Sequence, residues 1–202
     1  MHGFSTETDD IEIPGYAESA LYRELEEEEH EEHEGEEHEE EEVFGVLENS
    51  ASESEGLTAG ATWINNWGYF GAAINHSTKT YGIPGHHHHE EEAHEAEEHA
   101  EEEELVFIDM EQTRVDVRSA INNPFAGFDE WYFGLTNTDY EHVELEGDET
   151  GTLFTNDAQE FKTYLRHNPM AGWRGVVGMQ WTDRDFAAIG DEAFVPPSNT
   201  SS

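Results

Sequence analysis

Two runs of the chain carry the residues best suited to chemistry. Glu24–Glu42 holds 14 Glu together with His30, His33 and His38, and His86–Glu104 holds 10 Glu with His86, His87, His88, His89, His94 and His99. Imidazole nitrogen beside carboxylate oxygen is the ligand set of Zn²⁺, with Ni²⁺ and Cu²⁺ close behind. A run needed only for solubility has no reason to interleave imidazoles with acids, so the composition points to metal capture. If the second run coils on binding, Glu90, His94 and Glu98 share a face at i, i+4 and i+8. His33 with Glu37, and Glu34 with His38, repeat that spacing in the first run. So many equivalent ligands suit capture and release of an ion better than one fixed tetrahedron.

The 202 residues carry 49 Asp plus Glu against 8 Lys plus Arg, a formal net charge of −41. Such a polyanion does not wrap phosphates, which excludes nucleic acid as a partner. There are no cysteines, hence no disulfides, thiolate metal sites or cysteine nucleophiles. No P-loop, nucleophile-elbow or HExxH spacing occurs, and His76, His142 and His167 stand singly, as polar-face residues do. The expectation is a non-enzyme without a resident cofactor, whose metal is cargo. The start lacks a basic region followed by an apolar one, so no secretory signal is read at Met1–Gly15.

Neither acidic run can bury apolar surface, so both are expected as long disordered loops. The elements that must position them show apolar alternation at period two. Leu57, Ala59, Ala61 and Trp63 are followed by the turn Asn65-Asn66-Trp67-Gly68, then by Phe70, Ala72 and Ile74. The pattern recurs at Val115, Val117, Ser119 and Ile121; at Trp131, Phe133 and Leu135; at Phe161, Thr163 and Leu165; and at Val177, Met179 and Trp181. It predicts strands at 46–64, 69–82, 105–121, 129–141, 154–167 and 173–186, with part of a seventh in 4–22. Short turns at 65–68, 122–129 and 168–172 alternate with polar loops at 24–42, 83–104 and 142–153.

A soluble sandwich also yields period-two strands. Strict alternation of loop length with strand parity is instead the habit of an outer-membrane barrel. Trp63, Trp67, Tyr69, Phe70, Phe125, Phe128, Trp131 and Trp173 cluster beside the short turns, where an interfacial girdle would lie. Trp173 to Trp181 rises roughly 20 Å on a tilted strand, close to the height of a barrel's apolar band. Arg114, Arg118, Lys162, Arg166, Arg174 and Arg184 fall on the polar face or at strand ends. The expected fold class is all-β: part of an antiparallel transmembrane β-barrel, about six to seven strands of a larger one.

The stretch Phe154-Thr-Asn-Asp-Ala-Gln-Glu-Phe-Lys-Thr-Tyr-Leu-Arg-His-Asn-Pro169, with Gly172-Trp-Arg-Gly-Val-Val-Gly178, resembles TonB-dependent outer-membrane receptors. So do Trp181–Pro197 and Met110–Arg118. The zinc-importing subfamily is the most similar: there a Tyr-Gly-x-Pro-Gly step leads into a His/Glu-rich extracellular loop, as Tyr81-Gly-Ile-Pro-Gly85 leads into His86 here. Ile13–Ser19 resembles the same subfamily. The resemblance covers nearly all of residues 1–202. It implies an outer-membrane location, lipid contact, zinc as substrate, and an energy-coupling TonB complex reached through a plug domain. A plug, a TonB box and about 22 strands are expected of such a receptor, so the chain reads as an internal barrel fragment. The alternatives are a soluble secreted or periplasmic zinc-buffering β-domain, or a surface adhesion protein whose acids bind Ca²⁺.

Overall fold

The computed structural model describes residues 1–17, 19, 43–87, 105–147, 149–190 and 195–202. These residues form ten strands: β1 (His2–Thr8), β2 (Ile11–Tyr16), β3 (Phe44–Leu47), β4 (Ser52–Asn65), β5 (Gly68–His87), β6 (Leu105–Asn122), β7 (Phe128–Glu146), β8 (Glu149–His167), β9 (Val176–Gly190) and β10 (Ser198–Ser201). The all-β class is therefore observed. Eight strands form one antiparallel sheet in the order β1-β4-β5-β6-β7-β8-β9-β10, and β2 pairs with β3. The sheet is open, with β1 and β10 at its two edges.

The six expected strands appear as β4 to β9, with corrected bounds. The stretch 46–64 is two strands, because Asn49 takes a positive φ of 57° and turns the chain between β3 and β4. The polar loop expected over 142–153 is absent: β7 and β8 run on to a tight hairpin around Gly147, which has φ 55°. Polar residues misled there, because Val143, Leu145 and Leu153 keep the period-two register among Glu and Thr. Long and short connections thus do not strictly alternate. β5 likewise continues through His87, which pairs with Leu105 beyond a bulge, so His86 and His87 belong to a strand and not to a loop.

Cross-strand partners point to the same side of a sheet, so the register sorts every strand residue onto one of two faces. Val106, Ile108, Ala120, Thr152, Ala158 and Ala188, the buried side chains of the sheet, all fall on one of them. This face is here called inner. The six apolar series of β4 to β9 all fall on the other, outer face. Leu57, Trp63, Phe70, Ile74, Val115, Leu135, Val177, Met179 and Trp181 are exposed there. With so few buried groups, backbone ladders and cross-strand pairs hold this sheet more than a packed core does.

Candidate functional site: the loop end and the two faces of the sheet

Strand direction decides which connections share an end. The turns 65–68, 122–128 and 167–176 close β4–β5, β6–β7 and β8–β9 at one end. At the opposite end β5 stops at His87 and β6 starts at Leu105; β1, running against β4, delivers β2 and β3 there too. Both His/Glu-rich runs therefore join the sheet at the same end.

Their roots are fastened to each other. Ala17 N–H donates to the Val43 carbonyl at 2.9 Å, and the Tyr16 and Phe44 rings meet edge-on at 4.8 Å, closing the base of the first run. Asn49 is buried, and its amide donates to the carbonyls of Ile83 (3.1 Å) and Val106 (2.8 Å), one on each strand that flanks the second run. Gly82 is required beneath it, since a Cβ there would strike the Asn49 side chain. Asp10 Oδ1 accepts from the backbone N–H of Ser50 (2.8 Å) and Ala51 (2.9 Å), and Ile11 N–H donates to Ser50 Oγ at 2.8 Å. These bonds form one polar frame under both runs. Asn49 was not singled out from sequence, although an Asn between two short alternating runs is a signal for a left-handed turn.

Of the metal-ligand candidates, His30, His33, His38, His88, His89, His94, His99, Glu90 and Glu98 lie outside the described residues. His86 and His87 stand at the end of β5. Among the described residues no group of three His, Asp or Glu is placed to hold a metal ion.

The outer face changes character along its strands. From the short-turn end it is apolar for three or four rows, to Leu57, Ile74, Val115, Leu135, Phe161 and Trp181. The rows above carry Glu53 and Glu55, Asp109 and Glu111, Asp139 and Glu141, Asp157, Asp183 and Asp185. A shallow groove lies between Asp139, Asp157, Asp183 and Asp185. Followed from partner to partner, the border drops two residues from β4 to β5 and two more from β6 to β7. Four residues over five strand pairs put the border at about 30° to the perpendicular of the strands. A level border would then require strands tilted by that angle. Aromatic side chains gather at the short-turn end: Trp63 with Trp67 (5.9 Å between centroids), Phe125 with Phe128 (5.1 Å), and Trp131 with Phe133 (4.4 Å).

The inner face holds six of the chain's eight basic residues: Lys79, Arg114, Arg118, Lys162, Arg166 and Arg184. Arg174 lies in the turn between β8 and β9. Arg114 grips Asp116 with two bonds (2.9 and 3.2 Å), and Arg118 reaches the same carboxylate at 3.4 Å. Arg166 bonds Asp129 at 2.8 Å and Glu130 at 3.4 Å.

Of the single histidines, His76 is on the outer face with Nδ1 3.0 Å from Thr113 Oγ1, and His167 lies at a turn against the Asn168 carbonyl. His142 differs. It stacks on Phe154 at 4.4 Å on the inner face, its Nδ1 lies 2.9 Å from the Tyr140 hydroxyl, and burial pushes its imidazole below the ordinary histidine value. It is a packed ring, more than the bare polar-face residue that sequence suggested.

No protein-family model matches the chain.

Proposed function

We propose that the chain is part of an outer-membrane β-barrel receptor, of the TonB-dependent kind it resembles, whose His/Glu-rich runs capture zinc outside the cell for import. The observation that carries this reading is the apolar band crossing six strands on the outer face, with both runs rooted at the opposite end from the aromatic-rich short turns. The band runs roughly 13–20 Å along the strands, and the turn aromatics extend it toward the height of a bilayer's hydrocarbon. Water would penalise so many exposed Trp, Phe, Val and Leu side chains; lipid would not.

Lipid would, however, penalise unpaired backbone. β1 covers β4 only from Ser52 to Thr58, and β10 with Ser202 covers β9 only from Thr182 to Phe186. Among the described residues, the outer edges of Ala59–Asn65 and Val176–Trp181 therefore have no strand partner within the band. In a membrane these edges need further strands, which a larger barrel supplies. On this reading the inner face lines the lumen and the runs face outside. A plug domain would couple release to the inner-membrane TonB complex. Dense, redundant ligands hold Zn²⁺ loosely enough to pass it on.

Zinc titration of the full chain in detergent tests the capture step. Neutral imidazole is the binding form, so affinity falls as pH drops from 7.5 to 5, through about 6.5. Ca²⁺ in excess leaves zinc binding in place. Zinc affinity that ignores pH, with Ca²⁺ competing on equal terms, would replace this reading with a calcium-binding surface protein.

A further inference from the structure

We propose that Arg118, Tyr132 and Lys162 form a binding site for a small oxyanion on the inner face, best filled by a polycarboxylate. The site does not depend on metal capture by the two runs.

Gly71, Arg118, Gly134, Lys162 and Gln180 are successive cross-strand partners on β5 to β9, so they make one row across the sheet. Arg118 and Lys162 sit on strands two apart, about 10 Å between backbones, which their long side chains can bridge. Gly134 between them leaves the floor open. Over it lies the Tyr132 phenol: a Cβ at Gly134 would stand 2.9 Å from that hydroxyl. Tyr132 is held in place by stacking on Tyr164 (4.8 Å, 13° between planes), whose own hydroxyl donates to Glu130 at 3.0 Å. The phenol O–H thus lies over the one residue that separates Arg118 from Lys162 in the row.

These donors are not consumed by the fold. The Tyr132 hydroxyl and the Lys162 ammonium have no hydrogen-bond or ion-pair partner among the described residues. Arg118 reaches only Asp116 Oδ1, at 3.4 Å, an oxygen that already accepts from Arg114 and from the Thr136 hydroxyl. Its side chain is 60% exposed. Counting two rows on either side, Arg114, Arg118, Lys162, Arg166 and Arg184 meet Asp116, Asp129, Glu130 and Glu160, so this patch carries a slight positive excess in a chain of net −41. Charge-assisted bonds from an added carboxylate would complete this lattice. The roughly 10 Å between the strands that carry the two cations suits a ligand with more than one carboxylate over a compact ion. A bare divalent cation is repelled by the same row.

The test is calorimetric titration of the full chain, folded in detergent micelles with its strand circular dichroism verified, in EDTA, with citrate and separately with inorganic phosphate. Saturable citrate binding is expected, weakened about tenfold by Arg118→Gln or Lys162→Gln and less by Tyr132→Phe. Arg118→Lys and Lys162→Arg retain it, which separates loss of the site from loss of the fold. Lys79→Gln, on the same face outside the row, leaves it unchanged. Folded wild-type chain that binds neither anion overturns the proposal. So does a loss as large in Lys79→Gln as in Lys162→Gln, which would show diffuse charge only. Phosphate bound as tightly as citrate overturns the polycarboxylate assignment. Zinc titration of the same variants stays at wild-type values if the runs capture metal. Failure there counts against the zinc reading and leaves the anion site standing.

Discussion

Three side chains of this protein act through their surroundings more than their type. Asn49 ties the β3–β4 corner to the carbonyls of Ile83 and Val106, and so makes one platform for two acidic runs that would otherwise repel each other. Tyr132 exposes its hydroxyl because Gly134 leaves room for it. His142 is held against Phe154, in a site that disfavours the imidazolium. The sign follows from linkage: the unfolded chain takes up this proton more readily than the folded one, so stability falls as pH drops through about 6.5. His142 lies seven residues beyond Leu135 on β7, outside the apolar band. In metal-free detergent solution, His142→Gln is expected to flatten the loss of thermal stability between pH 7.5 and 5.5. An unchanged slope would assign that loss to other groups.

At the scale of the element, the unit of design is the strand with two opposed faces. Ala61 and Thr62 are neighbours on β4, yet Ala61 belongs to the apolar band and Thr62 faces inward beside Gly71. An arginine at position 61 should cost about 2–4 kcal/mol of folding stability in lipid vesicles, against about 1 or less at 62. Equal costs, measured by denaturant titration, would deny the band its lipid contact. The strands themselves were legible because apolar alternation survives wherever one face of a strand is apolar and the other polar: Leu57–Trp63, Phe70–Ile74, Val115–Ile121 and Val177–Trp181 all reappear in register. Where both faces turn polar, the signal thins. β7 beyond Asn137 reads as Thr, Asp, Tyr, Glu and His, yet it stays in the sheet because its ladder to β6 continues to Glu146. Backbone pairing leaves no mark on composition, which is why the hairpin at Gly147 was expected as a loop. The short strands β1 and β10 lack an apolar face altogether and are placed by pairing alone.

For the whole molecule, charge is sorted by position. Most acids lie in the two runs and on the upper outer face, and six of the eight bases on the inner face, where Asp116, Glu130 and Glu160 accompany them. The sequence exposed the first half of this pattern, because the runs are contiguous. The second half needed register, since Arg118, Gly134 and Lys162 are far apart in the chain and meet only across paired strands. The same holds for the open edges at Ala59–Asn65 and Val176–Trp181, which no local pattern announces. Together the band, the edges and the common root of the runs support the proposal that this sheet is a sector of a membrane barrel with metal-capturing runs outside.

The most direct measurement of that claim is an immunoblot of fractionated native cells with an antibody raised to the 86–104 peptide. The account predicts an outer-membrane band several times larger than 22.9 kDa, whose mobility shifts on heating as barrels do. A soluble band at the chain's own mass would contradict it.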